Sequence, residues 1–165
     1  MGSEMCIRDS IKDAFIEADK DNAEYYNKNY ETYSRQLDGL NQEFEETLSQ
    51  VTNKDIIVAH KAFGYLCKAY GLNQIAIEGL MPDSEPDPAR MEEIIQLAKK
   101  KEINTIFFEE LVSPKVANTI AKEIGAKTEV LNPLEGLSEE QMDAGEDYFS
   151  VMRTNLKQIK KALEN

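Results

Sequence analysis

Four short stretches of strand type, each followed by a helical pattern, constrain this chain more than any other feature. The runs cover residues 56–59, 74–78, 104–109 and 126–131. The helical patterns after them cover 61–70, 89–101, 114–125 and a last stretch running to about Leu163. Strands alternating with helices predict a parallel sheet with helices on both faces, and short connections with right-handed crossovers leave few other topologies. Local punctuation agrees: Gly71 and Gly125 suit helix C-termini, Pro88 and Pro114 first turns, and Ser138 with Gln141 a capping box. Upstream, Ile11, Ala14, Phe15 and Ala18 recur at helical spacing. After an interruption at Asp19–Asn22, where Asp21 and Glu24 offer another capping box, a second pattern runs through Tyr25, Tyr33, Leu40, Phe44, Leu48 and Val51. Its roughly 30 residues make a rod of about 45 Å, enough to span or join domains. The expectation is therefore an α/β fold, a four-stranded, mostly parallel sheet preceded by a long linker helix. The linker occupies residues 11–52 and the α/β lobe residues 53–165.

The segment Ser3-Glu4-Met5-Cys6-Ile7-Arg8-Asp9-Ser10 resembles a translated sequencing adapter. Residues 1–10 are accordingly read as a non-native tail, with the natural protein continuing upstream of Ile11.

Charge narrows the partners. With 31 acidic and 19 basic residues the net charge is -12, and there is no basic stripe of the kind that phosphate binding needs. Nucleic acid and anionic membrane surfaces are therefore not expected. No stretch approaches the ~20 apolar residues of a membrane span, and residues 1–10 do not form a signal peptide. Cys67 falls on a helix face with Phe63, Leu66 and Tyr70, as a small core residue rather than half of a disulfide with Cys6. The tyrosines at 25, 26, 30 and 33 read as a packed helix face rather than a ligand-stacking row.

The chemistry points to one place. No glycine-rich phosphate loop follows the first strand, and there is no nucleophile elbow. The single histidine, His60, closes the first strand. Open α/β sheets bind ligands outside the carboxyl ends of their strands. Glu135 follows the fourth strand at the same edge. Imidazole and carboxylate are both zinc ligands, but a zinc site wants about four donors. Taken alone, His60 reads more readily as a hydrogen-bonded structural residue than as a ligand, and Glu135 more readily as a solvated loop carboxylate. Glu78, Glu109 and Glu110 lie near this edge as candidate acceptors for the His60 ring.

A set of motifs in fixed order weighs in favour of the metal. They are Tyr25-Tyr26-x-Lys28-Asn29, Val58-Ala59-His60-x-Ala62-Phe63-Gly64-Tyr65-Leu66, Ala69-Tyr70-Gly71-Leu72 and the Pro82 to Pro88 loop. Further on come Phe108-Glu109-Glu110-Leu111-Val112-Ser113-Pro114-Lys115, Leu131-Asn132-Pro133-Leu134-Glu135-Gly136-Leu137 and Tyr148-Phe149-x-x-Met152-x-x-Asn155-Leu156. From about Ile11 onward the chain resembles the C-terminal lobe of the zinc-binding solute receptors of bacterial ABC importers. The resemblance implies an extracytoplasmic receptor, periplasmic or a cell-surface lipoprotein, with two α/β lobes joined by one long helix and Zn2+ held between them. His60 matches the third histidine of the family's zinc site and Glu135 its carboxylate. Manganese-type relatives tend to carry a carboxylate at the position of His60, and a nitrogen donor favours zinc over Mn2+. The partners implied are an ABC permease and an N-terminal lobe. That lobe, its two histidines, the signal peptide and the lipid anchor have no counterpart in this sequence. The resemblance implies capture and delivery of metal rather than catalysis. Two rivals from other classes remain: an α/β enzyme lobe using Glu109 or Glu110 as acid/base, and a helical interaction module built on the tyrosine-lined rod.

Overall fold

The computed structural model describes residues 2–78, 87–109 and 113–164, with side chains from residue 7 onward. Glu110 and residues 79–86, which include most of the proline-rich loop, lie outside the described residues. The chain divides into two compact units, Met1–Glu43 and Phe44–Asn165, and the division falls within the long helix.

The first unit is helical. Helix α1 spans Gly2–Ala18, so residues 2–10 are helical, and a 3-10 turn at Lys20–Asn22 leads into α2, Ala23–Ser49. Asp21 sits inside that turn rather than at a helix N-cap. Asp19 holds the turn: its carboxylate accepts from Asn22 Nδ2 at 2.9 Å and Tyr26 Oη at 3.0 Å. Both bonds hold the Asp19 carboxyl below its ordinary range. The tyrosine row divides. Tyr26 stacks on Phe15 with ring centroids 5.4 Å apart, and Tyr30 donates to Asp9 beneath the Lys12 ammonium. Tyr25 and Tyr33 are exposed. Among the described residues no helix is long and apolar enough to cross a membrane.

The second unit is the expected α/β lobe. Its strands among the described residues are β1 (Asp55–Val58), β2 (Asn73–Ala76), β3 (Thr105–Phe108) and β4 (Lys127–Val130), all parallel, in the order β2-β1-β3-β4. Between and after them come α3 (Gly64–Tyr70), α4 (Pro88–Lys100), α5 (Lys115–Ile124), α6 (Glu139–Asp143) and α7 (Tyr148–Leu163). Side chains alternate along a strand, so each strand feeds two cores. Ile57 and Ile106 join Ile94 and Ala98 of α4 and Ala117, Ile120 and Ala121 of α5 on one face. Ile56 and Val58 of β1 and Phe107 of β3 face the other way and are fully buried, and α7 packs against β1 and β4. Helices thus cover both faces.

Helix boundaries differ from the sequence expectation at three points, the smallest at α5, where Pro114 is the N-cap and Lys115 the first helical residue. Helix α3 starts at Gly64, not at Lys61, because the chain first makes a tight turn in which Ala62 N–H donates to His60 C=O at 2.9 Å. The final helical pattern is two helices. Gly145, at φ +72°, ends the first, and Asp147 caps the second by accepting from Ser150 N at 2.8 Å.

Candidate metal centre

The strand order creates one crevice. From β1 the chain moves outward to β2, then crosses back to β3 on the other side of β1. Adjacent connections therefore leave in opposite directions between β1 and β3. At such a topological switch point an open α/β sheet binds its ligands, outside the carboxyl ends of the strands.

Two polar side chains occupy that point. Val58 pairs with Phe107, so two residues further on His60 lies level with Glu109. The ladder continues past the formal strand ends to pin both. Ala59 N donates to Phe107 C=O, and Leu131 N to Phe108 C=O, each at 2.9 Å. His60 Nδ1 lies 3.0 Å from Glu109 Oε1. His60 is only 5% exposed and Glu109 only 2%. A carboxylate removed from water to this extent is costly unless a partner compensates it. The distance is that of an ion pair, yet the ring N–H is not in line with the oxygen. Among the described residues, His60 Nδ1 and both Glu109 oxygens are buried without a hydrogen bond. Of the two ring nitrogens, only Nδ1 is in that condition.

Glu135 is placed differently. It is exposed on the loop after β4, and β3 separates β4 from β1 in the sheet. That loop is built with care. Asn155 of α7 accepts from Asn132 N at 2.9 Å and donates from Nδ2 to Asn132 C=O at 2.7 Å. Asn132 Oδ1 then accepts from Leu134 N at 2.7 Å, with Leu134 at φ +62°. The carboxylate next in sequence therefore leaves a braced turn at the binding edge. Both expected donors lie at the carboxyl edge, but the residue brought against His60 is Glu109. Among the described residues no three His, Cys, Asp or Glu side chains converge as a metal cluster. The signal for Glu109 was available in the sequence only to a reader who knew the register. It stands two residues past Phe107, as His60 stands two past Val58, the ladder partner of Phe107.

The acid/base role considered for Glu109 meets an obstacle, since the group is buried against His60. Glu110, its alternative, lies outside the described residues.

The family model described as "ZnuA: Zinc-uptake complex component A periplasmic" matches residues 6–162. The high-affinity zinc uptake system protein ZnuA of Bacillus subtilis (strain 168) is 46% identical over 154 residues, covering 93% of this chain and 48% of that protein. The zinc-binding lipoprotein AdcA of Streptococcus pneumoniae serotype 4 is 46% identical over 158 residues, covering 96% of this chain and 31% of that protein. This chain thus spans about half, or less, of the curated relatives it matches. Among solved structures, the Zn(II)-bound ZnuA-like domain of Streptococcus pneumoniae AdcA superposes with a TM-score of 0.80 at 45% identity, covering 94% of this chain and 58% of that one.

Proposed function

The chain belongs to the family of periplasmic zinc-uptake component A, and from that premise we propose that it supplies the C-terminal lobe of an extracytoplasmic zinc receptor that passes Zn2+ to an ABC permease. His60 and Glu135 are this lobe's ligands. The observation that carries the reading is His60 itself: the only histidine of the chain, held at the switch point of the sheet. Imidazole nitrogen with carboxylate oxygen is a zinc donor set, and the nitrogen weighs against the harder manganese ion. Zn2+ is cargo here, so the task is to displace its water, hold it and release it; no bond of a substrate is broken.

Two donors do not fill a tetrahedron. The remaining donors belong, on this reading, to the opposite lobe of the receptor. The isolated chain therefore binds zinc far more weakly than a complete site does. A zinc competition titration tests this. The wild-type chain should show weak binding that His60→Ala removes and Glu135→Ala reduces. Tight, stoichiometric binding by the monomer that survives His60→Ala overturns the assignment.

A further inference from the structure

We propose that Glu109 is the positioning residue of His60: its buried carboxylate fixes the ring proton on Nδ1 and leaves the Nε2 lone pair for a divalent cation. The inference deepens the reading of His60 as a ligand and rests on it for its functional meaning. Its structural half stands on the metal-free chain alone. His60 Nδ1 and Glu109 Oε1 are 3.0 Å apart, and both are buried without another hydrogen-bond partner among the described residues. Among the described residues each finds compensation for its lost hydration only in the other, by turning the ring N–H into line. An ionised carboxylate only accepts, so Nδ1 must be the donor. A neutral imidazole has one donor and one acceptor nitrogen, so a proton on Nδ1 leaves Nε2 bare.

The pair is rigid where it matters. His60 and Glu109 follow adjacent strands in register, and the flanking backbone is bonded on both sides. A carboxylate accepting from the far side of a ligating ring orients the ring and raises its basicity, and loss of such a partner typically costs about 10- to 100-fold in metal affinity. Glu109 itself need not touch the ion.

The single histidine makes the test unambiguous. Long-range 1H–15N correlation spectra of the metal-free, full chain report which ring nitrogen carries the proton. They are recorded at pH about 8.5, two units above the ordinary imidazole value of ~6.5. The wild-type ring should carry it on Nδ1. In Glu109→Met, which keeps the volume and removes the acceptor, the proton should move to Nε2. Replacing a buried charge by an apolar side chain of similar volume is often tolerated. Should that variant not fold, the wild-type spectrum alone decides, since a proton on Nε2 overturns the proposal. So does a Glu109→Met ring that keeps its proton on Nδ1. In zinc competition, Glu109→Met should bind about 10- to 100-fold more weakly, and Glu109→Gln, which retains an acceptor oxygen, should recover much of the loss. Equal affinities of Glu109→Met and wild type overturn the role in capture. Zinc binding indifferent to His60→Ala instead overturns the ligand reading, and leaves the tautomer result standing by itself.

Discussion

Asn155 shows how far a single residue reaches in this lobe. Its amide is buried on α7 and meets both backbone groups of Asn132, and Asn132 in turn holds Leu134 one position before Glu135. Asn155→Leu keeps the volume but removes the Asn155 partner of a backbone N–H and of a backbone C=O. At about 1–3 kcal/mol for each of the two groups, the variant should lose about 2–6 kcal/mol in urea denaturation at unchanged slope. Cys67 makes a different prediction. Burial pushes its thiol up from 9.0 to about 11. Between those values the folded chain keeps a proton that the unfolded chain releases, so stability falls as pH rises from about 9 towards 11. Cys67→Ala should flatten that limb of the pH–stability curve. In a Cys6→Ser background, native protein at pH 8 should resist alkylation until it is unfolded. The burial of Cys67 was legible in the sequence, because a helix face can be read from spacing. The partner of Asn155 was not, because Asn132 lies 23 residues away and only the packing of α7 brings them together.

Elements were read well where one face or one run decides them, and poorly where a break competes with periodicity. All four strands fall within the expected runs or one residue outside them, most plainly β1 and β3, where burial on both faces leaves little room for polar side chains. Helix α4 was equally plain: Asp87 accepts from Arg90 N at 2.9 Å and Pro88 takes the first position. The strand order was beyond local reading. Nothing in residues 105–108 says that they pair with β1 rather than β2, and the His60–Glu109 contact depends on that choice. The break between α6 and α7 had its signal in Gly145, whose φ of +72° an L-residue adopts only under strain. A Cβ at Gly145 meets nothing within 4 Å, so the cost of Gly145→Ala is conformational rather than steric. The variant should lose about 1–2 kcal/mol, measured by chemical denaturation, with native far-ultraviolet dichroism retained.

For the molecule as a whole, the distribution of the core and of charge sets what the isolated chain can do. The largest fully buried side chains, from Phe44 and Leu48 to Ile159 and Leu163, all belong to the unit Phe44–Asn165. Residues 44–165 alone should therefore unfold in one cooperative step and show the same His60 ring signals as the full chain. A net charge of -12 raises a second question, since an acidic surface gathers divalent cations without any site. The two modes respond differently to salt. Diffuse attraction is screened over about 10 Å at 0.1 M and about 3 Å at 1 M. A direct nitrogen–zinc bond of about 2.0–2.1 Å lies inside either length. Raising sodium nitrate to about 0.5 M should therefore strip away the binding that wild type and His60→Ala share. The difference between them should persist, and it is this difference that measures the site. If the two proteins converge as salt rises, the zinc seen at low salt was held by the surface, and the lobe captures nothing through His60.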